Sequence, residues 1–177
     1  MGDPIFDESA AKSVIRDVKD YPKKGILFKD ITPLLKEPEI FKSCIDELAA
    51  MLKGKKADYI VGLESRGFIV GAPLAMEMGI GFVPIRKQGK LPHVKIEKSY
   101  DLEYGSATIE MHIDAIKKGQ SVIIVDDLLA SGGTAAAAAH LVESAGGKVT
   151  AFAFMIELES LKGRTKLNGE IVSLLKY

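Results

Sequence analysis

Apolar residues recur along the chain with two distinct periods. In EIFKSCIDELAAML (39–52), Ile40, Phe41, Cys44, Ile45, Leu48, Ala49 and Leu52 repeat at the spacing that lines one face of a helix. DYIVGL (58–63) is a short β-branched run ending at glycine and reads as a buried strand. GFIVGAPLAMEMG (67–79) is apolar over a helix length, and GFVPI (81–85) is a strand again. SVIIV (121–125) is the most continuous β-branched run. It leads through DDLLASGGT into a helix of about a dozen residues that closes at Gly146-Gly147, and KVTAFAFMIEL (148–158) supplies one more strand. Strand–helix–strand alternation implies parallel pairing with right-handed crossovers, so the expected class is α/β, a parallel central sheet flanked by helices on both faces.

One stretch breaks the pattern. From Arg86 to Glu110 the chain turns polar and basic, and two alternating segments, HVKIEKSY and SATIEMHI, flank DLEYG. This predicts a hairpin-like excursion rather than a core element. The 177 residues suit one domain, with 47% apolar and 27% charged positions in ordinary globular proportion. Twenty-four basic and twenty-four acidic side chains balance, which argues against a general nucleic-acid binder. The single cysteine, Cys44, excludes an internal disulfide and is expected as a small buried hydrophobe. No run of 18 apolar residues and no basic-then-apolar leader is present, so a cytoplasmic protein is expected.

The chemistry gathers at VDDLLASGGT. A strand running into a Gly-Gly turn that opens a helix places backbone amides and the positive helix end where they suit a phosphate. Ser131 and Thr134 can add hydroxyl donors. Neither GxxxxGK[ST] nor GxGxxG is matched, so a nucleoside triphosphate or dinucleotide loop is not indicated. Two adjacent acids, Asp126 and Asp127, are poor company for an anion, but they accept hydrogen bonds from vicinal sugar hydroxyls and suit Mg²⁺. Phosphate on the amides and hydroxyls on the acids describe one ligand, a ribose 5-phosphate. The plainer alternative is that the acids only cap the helix.

This motif resembles the phosphoribosyl-diphosphate binding motif of type I phosphoribosyltransferases. YPKKGILFKDITPLL (21–35), GLESRGFIVGAPLA (62–75) and IRKQGKLP with SYDLEYG (85–105) each resemble hallmark stretches of the adenine phosphoribosyltransferases, and the similarity extends down to LKGRTKL near the C-terminus. The resemblance implies the type I fold, with a parallel five-stranded core, a flexible hood loop and a small second lobe. In this sequence that means a single domain over 1–177, a base-binding hood in about 1–35 and a flexible loop in about 86–110. It implies transfer of phosphoribose from 5-phosphoribosyl 1-diphosphate to adenine with Mg²⁺, in purine salvage and usually in a homodimer, and no residue is assigned as a direct metal ligand.

By the same resemblance Ala130, Ser131, Gly132, Gly133 and Thr134 hold the 5-phosphate, and Asp126 and Asp127 the ribose hydroxyls. Glu64, Ser65 and Arg66 match a diphosphate loop with a non-proline cis peptide. Arg86, Lys87 and Lys90 join the diphosphate site, in a segment that in the family can reach a neighbouring subunit. Leu27, Phe28 and Lys29 bind adenine, the first and last through their backbone, although Lys29 stands where the family often has arginine and Ile26 to Phe28 also read as ordinary core. Glu103 is the catalytic carboxylate at the purine imidazole edge, and Tyr104 and Tyr100 cover the site. A transferase for another purine base, or a donor-sensing regulator of the same fold, stays open at this point.

Overall fold

The computed structural model describes residues 6–21, 23–101 and 106–177, so Glu103 and Tyr104 lie outside the described residues. The chain divides into two compact units, Met1–Glu47 and Leu48–Tyr177, with the boundary inside a helix and later than the hood limit near residue 35 expected above. In the first unit, α1 (Glu8–Ser13) starts where the Asp7 carboxylate accepts the Ser9 and Ala10 N–H groups. A two-stranded antiparallel ribbon follows, β1 (Arg16–Lys19) with β2 (Leu27–Asp30), then the short α2 (Thr32–Leu35). Next, α3 (Pro38–Met51) is the helix anticipated at 39–52. Cys44 is fully buried on it, and burial pushes its thiol up to about 12, which leaves it an inert hydrophobe.

The second unit is a seven-stranded sheet. Its strands are β3 (Tyr59–Leu63), β4 (Gly81–Lys87), β5 (Lys95–Asp101), β6 (Ser106–His112), β7 (Ser121–Leu129), β8 (Lys148–Glu157) and β9 (Glu170–Lys176), in the order β5-β6-β4-β3-β7-β8-β9. The five from β4 to β9 are parallel, which matches the expected core. Helices α4 (Arg66–Met78) and α5 (Gly133–Ser144) make the crossovers from β3 to β4 and from β7 to β8. Val61, Leu63, Val83, Ile85, Val122, Ile124, Phe152 and Phe154 cluster with Ala135, Ala138, Leu141 and Val142 of α5. The small alanine faces let that helix lie close to the sheet.

Three features depart from expectation. The hairpin expected within 86–110 is present, β5 and β6 forming a continuous antiparallel ladder from Lys95↔His112 to Asp101↔Ser106, but β6 joins the main sheet through Arg86↔Glu110 and Lys87↔Ile109. Ile109 and Met111 enter the core, so the hairpin is part of the sheet and not the excursion from the core that its alternation suggested. Strand β9 was not anticipated, and β7 runs four residues beyond Val125 because its ladder with β8 continues to Leu129↔Glu157.

That extension matters. Pairing of β3 with β7 stops at Gly62↔Val125, so Asp126 and everything after it project past the neighbouring strand. From β3 the chain crosses by α4 to one side of the sheet, and from β7 it crosses by α5 to the other. The two adjacent strands define a topological switch point, and open α/β sheets bind ligands outside the carboxyl ends of the strands at such a point.

Candidate active site

After β3 the chain turns through Glu64 and Ser65, joined by a cis peptide bond, into the first turn of α4 at Arg66. Gly67 lets that turn approach the end of β7: a Cβ on it would lie 2.9 Å from both the Asp126 Oδ1 and the Val125 carbonyl oxygen. Arg66 Nε donates to Asp127 Oδ2, and the Asp127 N–H donates to Asp126 Oδ1 at 2.9 Å. Asp127 is buried, and Asp126 is half-buried beside it. Burial, and next the Asp127 charge, push the Asp126 carboxyl well above the usual carboxylate range. Two adjacent carboxyl groups suit a ligand that brings hydroxyl donors or a hard cation.

Positive charge is concentrated on the other side of the same turn. The buried Glu64 carboxylate accepts from Lys90 Nζ at 2.7 Å, the Lys87 N–H at 3.0 Å and Arg86 Nε at 3.1 Å. Burial alone would raise Glu64, but these three donors outweigh it and hold the carboxyl below its ordinary value. Glu64 therefore stays ionised and gathers cations, so its own carboxylate is not presented to an anion. The turn carrying Lys90 is fixed by a residue that sequence reasoning missed. Glu110 on β6 is fully buried and accepts the N–H groups of Gly89, Lys90 and Leu91 at 3.1, 2.8 and 2.5 Å, and Lys95 Nζ at 2.7 Å. Against burial, the Lys95 ammonium and the three amides lower it to about 2. An acid flanked by Ile109 and Met111 in an alternating strand carries no signal of this role.

The Gly-Gly turn follows β7 directly. Gly132 precedes α5 with φ +78°, a conformation that favours glycine, and no side chain caps the helix. Ser131 is exposed, and Thr134 Oγ1 donates to the Tyr100 hydroxyl at 3.2 Å. A pocket of about 70 Å³ lies over Ala130 to Thr134. A cleft of about 390 Å³ adjoins it, lined by Glu64, Ser65, Arg66, Lys87, Tyr100, Asp126 and Asp127 among others. Asp126 and Thr134 line both spaces. The structure thus brings together the residues predicted for 5-phosphate, ribose and diphosphate at one strand edge. Leu27, Phe28 and Lys29 belong to the first unit, on β2. There Ile26 and Leu27 are exposed, which rules out the ordinary-core alternative for them. Lys29 Nζ pairs with Asp17, and Phe28 meets Tyr21 edge-on at 5.2 Å.

Among the described residues no three His, Cys, Asp or Glu side chains come together as a metal cage. Two adjacent carboxylates still fit Mg²⁺, which keeps several waters and takes one or two protein carboxylates plus the oxygens of a phosphate ligand. No helix of the described residues is long and apolar enough to cross a membrane.

A parallel sheet whose switch point carries an acid pair, a phosphate turn and a cation cluster defines a phosphoribosyl-transferring domain, and the Phosphoribosyl transferase domain family matches residues 31–169. The chain is 55% identical to the adenine phosphoribosyltransferase of Geotalea daltonii over 94% of this chain and 98% of that protein. Its fold superposes on the crystal structure of the Thermoanaerobacter pseudethanolicus adenine phosphoribosyltransferase with a TM-score of 0.95, at 52% identity over 97% of this chain and 100% of that one. The Saccharomyces cerevisiae enzyme, solved with adenine and an imino-altritol bisphosphate, matches with a TM-score of 0.89 at 44% identity, covering 95% and 98% of the two chains. The chain belongs to the adenine phosphoribosyltransferase family.

Proposed function

We propose that the chain transfers the 5-phosphoribosyl group of 5-phosphoribosyl 1-diphosphate to adenine, releasing AMP and diphosphate in purine salvage. The C1–O bond to diphosphate breaks, a bond from adenine N9 to C1 forms, and the N9 proton leaves. The observation that carries this reading is the adjoining pocket and cleft, which meet at Asp126 and Thr134 and are lined by the Ala130–Thr134 turn on one side and by Arg66 and Lys87 on the other. In them the 5-phosphate sits on the turn, the ribose hydroxyls on the acids, and the diphosphate on the 64–66 backbone with Arg66 and Lys87. Arg86 and Lys90 add positive potential, held in place by Glu64.

The sugar passes through a cation-like transition state, and a fixed pair of carboxylates next to it stabilises charge that develops only then. Bound Mg²⁺, carried by the diphosphate and fitted to Asp126 and Asp127, would neutralise the leaving group. Leu27, Phe28 and Lys29 receive the base, with Glu103 at its imidazole edge and Tyr104 covering it. Adenine as the base is supported by the adenine held in the yeast relative. The functional unit is a homodimer in the cytoplasm. Met76, 83% exposed, and Ile69, 43% exposed, give α4 the apolar surface that a subunit contact needs.

Protein, Mg²⁺, the diphosphate donor and a panel of purine bases, with the nucleotide read by mass, test the reaction. AMP from adenine, and little nucleotide from hypoxanthine, guanine or xanthine, is the expected result. No AMP at micromolar protein would refute it.

A further inference from the structure

The LKGRTKL segment takes no direct part in the cleft, yet it stands behind the phosphate turn. After β8 the chain forms two 3-10 turns, Glu159–Leu161 and Gly163–Lys166, before β9. Gly163 lies backbone to backbone with the Gly-Gly turn. A Cβ on Gly163 would collide with the Ala130 carbonyl oxygen, and a Cβ on Gly132 would collide with the Gly163 carbonyl oxygen. The contact is therefore reciprocal, and it reaches the two residues at the base of the turn.

The next residue fixes Gly163 in place. Arg164 Nε and Nη2 donate to the two Glu157 carboxylate oxygens at 2.6 and 2.7 Å. Its Nη1 donates to the Ile171 carbonyl at 2.9 Å, and Nη2 also reaches Ser173 Oγ at 3.3 Å. Glu157 is buried and is the last partner of Leu129 in the β7–β8 ladder, one residue before the turn begins. One planar fork thus ties the Gly163 turn to the end of β8 and to the first half of β9. Lysine, with a point charge and no fork, cannot make all of these bonds at once.

We propose that Arg164 is a positioning residue for the 5-phosphate turn, acting through Gly163, whose backbone braces Ala130 and Gly132 from behind. The proposal rests on the reading that Ala130 to Thr134 bind the 5-phosphate. Amides aimed at an anion lose affinity when the backbone carrying them can relax away, and the brace limits that relaxation.

The test compares wild type, Arg164→Lys and Gly163→Ala in the full chain. Binding of ribose 5-phosphate and of Mg-diphosphate is measured separately by calorimetry, with KM and kcat alongside. Both variants should weaken ribose 5-phosphate binding and raise the donor KM about tenfold, equivalent to about 1.4 kcal/mol. Mg-diphosphate binding and kcat should change by less than about twofold, a split that general loosening of the fold does not produce. Folded variants with lower melting temperature but unchanged ribose 5-phosphate affinity would overturn the proposal, leaving Arg164 a staple between β8 and β9. Equal loss of both affinities would overturn it as well. If Gly163→Ala does not fold, Arg164→Lys decides alone by the same ratio. Wild-type protein that binds no ribose 5-phosphate would defeat the underlying reading, and the proposal with it, before any variant is compared.

Discussion

Glu110→Gln keeps the shape of a fully buried side chain and removes its charge. In the native protein Oε1 accepts the Lys90 and Leu91 N–H groups, and Oε2 accepts the Gly89 N–H and the Lys95 ammonium. Glutamine offers one carbonyl oxygen, so its NH₂ must face one of these donor pairs, donor against donor. Removing one partner of a buried ion pair costs about 3–5 kcal/mol, and the partial exposure of Lys95 lets water recover part of that. The expected loss is about 2–3 kcal/mol near neutral pH, a fall in melting temperature of about 5–10 °C. The pH dependence gives the reasoning a second check. Glu110 is depressed from 4.5 to about 2, so its contribution is complete above its unfolded value and is lost as pH falls through the folded one. Urea unfolding of both proteins, followed by circular dichroism from about pH 7 down to the lowest pH at which both fold, should show a gap that narrows with acid. Equal midpoints at neutral pH, or a gap that stays constant into the acid range, would refute the account. Because the same carboxylate fixes the turn bearing Lys90, the variant should also raise the donor KM.

Three further outcomes test the cleft itself. Asp126→Ala with Asp127→Ala should weaken donor binding at least tenfold, on the order of two lost hydrogen-bonded charges, and unchanged affinity by calorimetry would remove the ribose role. Gly67→Ala should lower kcat/KM about a hundredfold, because its Cβ at 2.9 Å from Asp126 must push the α4 turn away from β7. The accompanying stability loss should be only about 1–3 kcal/mol, and wild-type kcat/KM would show that the close approach is dispensable. Glu103→Leu should lose turnover and still bind the donor. Wild-type turnover would make that residue an ordinary loop acid.

Much of the site was legible because its chemistry is local in sequence. The acids and the Gly-Gly turn that opens the helix occupy nine consecutive residues from Asp126 to Thr134, and strand–helix patterning alone placed them at a strand's carboxyl edge. The supporting groups were not legible because their partners are remote. Glu110 serves a turn about twenty positions earlier, and Arg164 takes hold of strands that meet only through the sheet. Strand β9 is a short apolar run, Ile171 to Leu175, that helix and strand patterning does not tell apart, and it is its parallel pairing to β8 that makes it a strand. The over-short β7 has a related cause: a charged pair looks like the end of a strand, but a ladder with one neighbour suffices to continue it. Periodicity reports which faces are buried, and it says little about how far a strand outruns its neighbour.

The distribution of charge shows why the acids and the anion site coexist in a protein of zero formal net charge. On one side of the cleft a single carboxylate, Glu64, faces Arg86 and Lys90, and Lys87 lines the space beside it, so that side carries excess positive charge. On the other side Arg66 pairs with Asp127, and two adjacent acids leave that side poorer in positive charge. A ligand with phosphate at one end, a polyol in the middle and diphosphate at the other fits this arrangement in one direction only. Reversed, the diphosphate would leave the Arg86, Lys87 and Lys90 side for the Gly-Gly turn, and the lost charge complementarity disfavours that pose. Neutralising all of these residues in advance would leave a cleft that accepts either orientation. The internal ion pairs at Glu64 and Asp127 hold the charged groups in position without cancelling the difference between the two sides, and under the proposed function that residual difference sets the direction in which the donor lies.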